Sequence, residues 1–536
     1  MISRRRAAST TLVLVAVVAT MVIMVGCGQA DDDPAGPIVT DIPELVIAVP
    51  SEIQGTDPQQ VTTTFAFVHD LINTPPISLG LGNDQIVPRG AKEVEVSEDG
   101  LEIRLTFDPN RTFHNGEPMS AEAFKRSVDR YLELSPYAFD FDPVEEIVIE
   151  GDTAILQLVE PGPGMFVVLG SSYAGSVEVG AAEEMGDDEF HRNTIGCGPY
   201  RVEEWVDGSH ITLVRNDDYY DYLPFVENNE AFAFERITVR FIPEGFTRVS
   251  ELRAGNIDLM SGVPSESLNM LREDPNIDIH EYMNSNVRYA RLNTERFPLD
   301  DHSVRLAVAL AMDRDEIMQG VDGVIQPTYS LVGPAMIRHH PGTEERMKQE
   351  FSHNLDRARQ LLEDAGWEEG SDGFLHKDGE KLTFEFAFSG DNPIDTRAAP
   401  VIQSQMQRVG IDLQLREYEG RYLRELAEEN NFDILLANWS WLDPGGVWPA
   451  SLRTGGRLTT WSHPDVDAML DEVVVEPDED EGARMWGEIT ERVWEDVALF
   501  PLWSDRLFLA SRDNVAGLHL SVSGATYLND LTLLQD

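Results

Sequence analysis

Phe113-His114-Asn115-Gly116-Glu117-Pro118-Met119-Ser120-Ala121-Glu122 packs a turn, a helix cap and the first helical positions into one short run. Asn115-Gly116-Glu117-Pro118 reads as a turn, because glycine accepts positive φ without a Cβ clash and proline fixes its own φ. Ser120 follows as an N-cap, with a hydroxyl placed to accept from the free amides of a first helical turn. Apolar spacing then predicts a helix from Ala121 to Leu134. Just upstream, Glu102-Ile103-Arg104-Leu105-Thr106-Phe107 alternates and predicts a half-buried strand. Strand, turn and capped helix in succession make a mixed α/β unit.

The same mixture continues outward in both directions. Leu45-Val46-Ile47-Ala48-Val49, ending in Pro50, is apolar and β-branched enough for a buried strand. Gly196-x-Gly198-Pro199 lets two backbones approach closely and fixes the entry to a strand at Tyr200 to Glu204. A strand is expected at Ile237 to Phe241 and a helix at Thr247 to Ala254, closed by Gly255. Beyond residue 300 helices dominate: Asp301 to Met312, Asn354 to Ala365 before Gly366, Ala398 to Val409 before Gly410, and Val466 to Val474. Strands at Leu382 to Phe388, Ile411 to Arg416 and Asp433 to Ala437 alternate with them. The pattern falls into two halves with no internal repeat.

The N-terminus reads as an export signal. Arg4, Arg5 and Arg6 precede an uncharged stretch from Thr11 to Val25, too short for a comfortable membrane span, and Met24-Val25-Gly26-Cys27 closes it. Cys27, at the apolar/polar junction, is the expected lipid-attachment residue, and each acyl methylene buried in a bilayer contributes about 0.8 kcal/mol. Residues 28 to 42 then form an acidic tether. Cys197, the other of the chain's 2 cysteines, is left without a partner, so the fold holds without a disulfide. It reads as a small packed apolar group.

Net charge is −54, and more negative still once the three signal arginines are removed. Such a surface repels nucleic acid and anionic membranes. Lys92, Lys125, Lys348, Lys377 and Lys381 are the only lysines. Acid excess with lysine depletion predicts a protein working in concentrated salt, where screening over a few ångströms removes self-repulsion. A calcium store is not supported, because Asp140-Phe141-Asp142-Pro143 and the run Glu476 to Glu481 have neither EF-hand spacing nor its glycine.

Seven stretches, read in order, resemble the extracytoplasmic solute-binding proteins of ABC importers, in the oligopeptide/dipeptide/nickel-binding family (family 5). They are Ser51-Glu52-Ile53-Gln54-Gly55-Thr56-Asp57-Pro58, the opening segment Phe113 to Glu122, Gly196-Cys197-Gly198-Pro199-Tyr200, Leu252-Arg253-Ala254-Gly255-Asn256-Ile257-Asp258, Val304-Arg305-Leu306-Ala307 with Met312-Asp313-Arg314, Ala358 to Trp367, and Leu442-Asp443-Pro444. Cys197 stands where the family usually has threonine. The resemblance implies an α/β fold: a two-lobe clamshell of the type II periplasmic-binding-protein kind, with an extra subdomain inserted in the N-terminal lobe. The expected division is 1–26 signal peptide, 27–42 lipidated cysteine and tether, 43–75 plus 180–280 plus 505–536 lobe I, 76–179 inserted subdomain, and 281–504 lobe II. Crossovers are expected near residues 280 and 500. Hinge closure encloses a ligand for delivery to membrane permease subunits, by a monomer that needs no cofactor or metal and performs no covalent chemistry.

For the ligand site, Asn438-Trp439-Ser440-Trp441-Leu442-Asp443-Pro444-Gly445-Gly446-Val447-Trp448 follows a predicted strand, and loops leaving carboxyl ends of strands are where α/β clefts bind ligands. Trp439, Ser440, Trp441 and Asp443 are therefore candidates, their indoles able to stack on peptide planes, sugar rings or cations. By resemblance Glu52 stands in the first loop of the N-terminal lobe, and Tyr289 and Trp503 lie near the crossovers. Peptide-binding members carry an aspartate a few residues after the matching tryptophan, to pair with a free amino group. Here that position falls on Ser440, on Leu442 or in a gap. Oligopeptides are the first expectation and oligosaccharides the second; a ligand-presenting receptor outside transport is a further alternative. His339-His340 alone is too little for a nickel site. No Gly-x-Ser-x-Gly elbow, His-Glu-x-x-His helix or phosphate loop marks an enzyme.

Overall fold

The computed structural model describes residues 42–534, so the signal segment, Cys27 and residues 28–41 of the tether lie outside the described residues. A single twelve-stranded sheet runs through the molecule. Its strands in chain order are β1 (Ile42–Val49), β2 (Tyr200–Val206), β3 (His210–Arg215), β4 (Phe234–Phe241), β5 (Leu259–Ser261), β6 (Ile277–Met283), β7 (Asn286–Leu292), β8 (Ile325–Pro327), β9 (Thr383–Ser389), β10 (Asp412–Tyr418), β11 (Ile434–Ser440) and β12 (Leu499–Arg512). Spatially they follow the order β10-β9-β11-β7-β12-β5-β1-β4-β3-β2, with β6 and β8 also paired to β12.

The long strand β12 makes this arrangement a clamshell. Leu499 to Trp503 pair with β7, whereas Arg506 to Arg512 pair with β6. The chain therefore passes between two lobes twice, through Met283–Asn286 and through Trp503–Arg506, close to the expected crossovers. On one side β1 is central and parallel to β4 and β5. Its alternation serves two layers: Leu45, Ile47 and Val49 enter one core, and Ala48 meets Val249 and Leu252 on the other face. On the other side β9, β10 and β11 are parallel, and Ala290, Phe386, Phe388 and Leu436 share a core with helices on that face.

A separate four-stranded antiparallel sheet, from residues 93–158, carries the opening motif. Helix α1 (Ala121–Leu134) covers it, and Phe124, Val128 and Tyr131 pack on Ile103, Leu105 and Phe107. Gly116 has φ of 88°, and Ser120 Oγ accepts from the Ala123 amide at 3.2 Å, as a turn followed by an N-cap requires. Gly196 and Gly198 press against the backbone of Leu71 and Ile72, and Cys197 is buried in the same core as α1. One helix departs from expectation. α2 runs Pro393–Arg408 rather than starting at Ala398, because Asn392 caps it and Pro393 occupies the first position, where no amide is needed. No helix among the described residues is long and apolar enough to cross a membrane.

Candidate functional site

Parallel β9 and β11 run toward the same edge, where β11 reaches Ser440, past the level of Ser389. Antiparallel β7 brings Asn286 and Arg288 to that same edge, and β12 brings Trp503, Ser504 and Asp505. The carboxyl ends of the second lobe's strands thus converge on the hinge. A cavity of about 460 Å3 opens here, with Arg288, Tyr289, Asp395, Asn438 and Trp439 around its hinge end. It extends along α3 (Gly420–Glu428), past Arg291 and Arg424, to Arg457. A groove of similar size, about 470 Å3, lies between α1 and residues 179–187. That groove touches neither the hinge nor a tryptophan, and the hinge pocket is the better candidate.

Three charges share the hinge end. Arg288 Nη1 donates to Asp395 Oδ2 at 3.1 Å, and its Nη2 lies 3.8 Å from Asp505 Oδ2. Asn286 clasps Asp505: its side-chain amide donates to Oδ2 at 2.8 Å, and its carbonyl accepts the Asp505 backbone amide at 2.9 Å. The same Nδ2 donates to Asn438 Oδ1 at 3.0 Å, and Trp503 Nε1 donates to Asp505 Oδ1 at 3.2 Å. Asp395 Oδ1 and Arg288 Nε have no hydrogen-bond partner among the described residues. Burial pushes Asp395 up to about 7, against the pull of Arg288 and with a further push from Asp505. Asp505 is raised by the same desolvation, opposed by Arg288, Asn286 and Trp503.

Aromatic groups wall the pocket beside this cluster. Ser451 Oγ accepts from Trp439 Nε1 at 3.0 Å and lies 3.4 Å from the Tyr289 hydroxyl, so one buried serine orients both rings. Behind them, the Tyr289 and Trp448 rings are 5.1 Å apart.

Of the residues singled out in the sequence, Tyr289 and Trp439 come together in the pocket wall. Ser440 is exposed at the end of β11, opposite Asn286. Trp441 is half-buried beside Gly446 and donates its backbone amide to Ser285. Trp503 is fully buried in the core of the second lobe, opposite Arg288 in the sheet, and does not line the pocket. Asp443 is buried and caps the turn Pro444–Gly446 through the Gly445 amide at 2.9 Å. Glu52 sits in the first lobe, where it accepts from Trp205 Nε1 at 3.0 Å and the Gly208 amide at 2.9 Å.

Sequence reading missed Arg288, Asp395 and Asp505. Arg288 and Asp505 left no local signal, since Arg291 shares β7 with the one and Arg506 follows the other in β12. Asp395 left none, because an acid in a helix's first turn is ordinary.

The family description "Bacterial extracellular solute-binding proteins, family 5 Middle" matches residues 85–456. The oligopeptide-binding protein AppA of Bacillus subtilis (strain 168) is 24% identical over 447 residues, covering 80% of each chain. The structure of HbpA2 from Haemophilus parasuis superposes with a TM-score of 0.79 at 19% identity, over 92% of this chain and 100% of that one. A nickel ABC transporter protein from Bacillus halodurans gives 0.75 at 22% identity, with the same coverage.

Proposed function

The chain belongs to the family 5 bacterial extracellular solute-binding proteins, which are transport binding proteins and not enzymes, and from that premise we propose that it captures peptides between its lobes for an ABC permease. The supporting observation is the pocket at the hinge edge of the second lobe. Its polar groups converge from β7, α2 and β11, and Asp505 of β12 lies 3.8 Å from Arg288, so a ligand seated there is next to the elements that move when the lobes close. Trp439 and Tyr289 supply flat faces for peptide planes, and the buried charges supply orientation.

In this reading Cys27 carries the lipid that holds the protein at the outer face of the membrane. Residues 43–75, 180–280 and 505–536 form lobe I, residues 281–504 form lobe II, and the monomer meets the permease with both. Ser440 and Trp441 flank the pocket rim, Asp443, Glu52 and Trp503 act as supports, and the acidic surface suits concentrated salt.

The test is thermal shift in molar salt against mixed di- to hexapeptides, α- and β-linked oligosaccharides and nickel chelates. A ligand present at 100 times its dissociation constant stabilises by about 2.7 kcal/mol, which shifts melting by a few degrees. A shift from peptides alone is the expected result. A shift from sugars alone removes the peptide reading and makes the indoles a carbohydrate platform.

A further inference from the structure

We propose that the four-stranded unit is a clasp on the clamshell, meeting the second lobe through glycine and proline contacts that hold the lobes together without ligand and part at little cost. The unit does not line the hinge pocket, yet it touches the second lobe outside the crossing segments. Asn83 Nδ2 donates to the Ala335 carbonyl at 3.0 Å, beside the crossing residue Ser285, whose hydroxyl lies 3.5 Å from the same oxygen. Gly164 opens the short helix Gly164–Leu169, and a Cβ there would stand 2.7 Å from Asp443 Oδ2. Gly100, in a hairpin turn of the four-stranded sheet, would set a Cβ 3.2 Å from that of Pro477 and 3.0 Å from that of Pro161. Ile77, Met165 and Leu169 share the core of the unit, so the segments that make these contacts are anchored in it.

The chemistry of the contact is that of a surface made to separate. Inside each lobe, and inside the unit, apolar side chains form continuous cores. Among the described residues no such cluster joins the unit to the second lobe. Hydrophobic burial is the main adhesive between packed elements, and a contact built from Gly100, Pro161, Gly164 and Pro477 carries little of it. It fixes how far the lobes close and adds the Asn83 hydrogen bond as a modest hold. The receiving elements also belong to the pocket wall. Met336, Val447 and Val473 pack in one cluster with Tyr289, Trp439 and Trp441, and Asp443 lies in the loop that leads out of β11. The clasp therefore bears on the wall that faces a ligand.

Two neighbouring glycines supply the test. A Cβ on Gly162 meets nothing within 4 Å, whereas one on Gly164 meets Asp443. Gly164→Leu wedges the contact, and Gly162→Leu adds the same bulk to open space. Asn83→Gly is the second variant: it keeps the φ of 59° free of strain and removes the hydrogen-bond donor. Double electron–electron resonance reads the distance between spin labels on Glu122→Cys and Glu472→Cys, which are exposed on the unit and on the second lobe. The full chain carries Cys27→Ser, so that only the introduced thiols react, Cys197 being buried. No ligand enters, so the outcome is independent of whether the pocket takes peptides.

The wild type is expected to show mainly the distance of this structure. Gly164→Leu should lower the ratio of closed to open forms by at least about fivefold, the lower end of what overpacking a contact costs. Asn83→Gly should lower it by about fivefold, as loss of one hydrogen bond predicts. Gly162→Leu should leave it unchanged. A mainly open wild type overturns the clasp, as does an unchanged ratio in both Gly164→Leu and Asn83→Gly. Equal shifts in Gly164→Leu and Gly162→Leu overturn the assignment of the effect to the contact with Asp443. If melting shows that Gly164→Leu does not fold, the Asn83→Gly result decides alone.

Discussion

Two buried aspartate–arginine pairs stand in different parts of this molecule and are finished differently. In the seam between the first lobe and the four-stranded unit, Arg130 Nη2 donates to Asp57 Oδ2 at 2.8 Å. Gln60 Nε2 adds a second donor to that oxygen at 2.9 Å, and the Gln59 amide donates to Oδ1 at 3.0 Å. Both carboxylate oxygens are used. At the hinge, Arg288 and Asp395 are just as buried, yet Oδ1 of Asp395 is left open and a second carboxylate, Asp505, competes for the same guanidinium. The surroundings differ in the same sense. The seam is tight enough that a Cβ on Gly196 would lie 2.1 Å from the Ile72 carbonyl oxygen, whereas the hinge pair borders a cavity of about 460 Å3. Burial is common to both regions. What separates the two pairs is whether every carboxylate oxygen is satisfied.

The largest effect should come from closing the seam's last space. Gly196→Ala sets a methyl group against the Ile72 carbonyl and the Asn73 side chain, and the Ile72 backbone cannot yield as a side chain could. A loss on the order of 4 kcal/mol or more is expected, in the range that marks core overpacking. Chemical denaturation measures it, and a loss below about 1 kcal/mol would show that the seam is looser than the hinge pocket.

Asp57→Asn comes next. It leaves Arg130 buried with its partner's charge removed, and breaking a buried pair from one side costs about 3–5 kcal/mol. Asp187, 3.5 Å from Arg130 and mostly exposed, retains part of the pairing, so the low end is expected. Peptide affinity should not change, since Asp57 is in the seam and not in the pocket wall.

The seam was legible in the sequence and the hinge cluster was not. Gly-x-Gly-Pro at residues 196–199 and the Ser120 cap are local signals, in which a few consecutive residues state their own geometry. Trp439 was legible for a similar reason, because it follows a recognisable strand. Arg288, Asp395 and Asp505 are separated by more than a hundred residues each and meet only because the sheet order sets β7 between β11 and β12. Glu52 shows the converse. A plausible position in an early loop says nothing about the hairpin β2–β3 that folds back to engage it. The early start of α2 was masked by its own prolines, since Pro393 and Pro400 both argue against a helix until Asn392 is seen as its cap.

Asp395→Asn should do the reverse of Asp57→Asn. The Asp395 carboxyl is raised in the folded protein from 3.8 to about 7, so the unfolded chain ionises first as pH rises. The Asp395 contribution to wild-type stability therefore falls between about pH 4 and pH 7 and is level above, and the asparagine variant lacks that contribution. Its advantage should be near zero at pH 4 and grow to about 2 kcal/mol by pH 7, less than the full shift implies because Arg288 loses a partner. Melting curves across this range measure it. If Asp395→Asn destabilises at pH 7 as strongly as Asp57→Asn, the two pairs are alike and the distinction between seam and hinge fails.

The smallest effect concerns how firmly the pocket wall is held. Ser451 accepts from Trp439 Nε1 and lies within reach of the Tyr289 hydroxyl. Ser451→Ala deprives these two groups of their shared partner, and Trp439 is half-buried and able to reach water, so the loss should be about 1 kcal/mol. The effect on ligand should exceed that on stability, because freeing two rings to rotate adds ordering entropy to each binding event, about 0.5–1.5 kcal/mol per side chain. Measured side by side, melting temperature should drop slightly and peptide affinity should weaken several-fold. Equal losses in both would mean that Ser451 belongs with Asp57, as a finished contact of the scaffold. A larger loss in affinity places it with the pocket wall and apart from the scaffold.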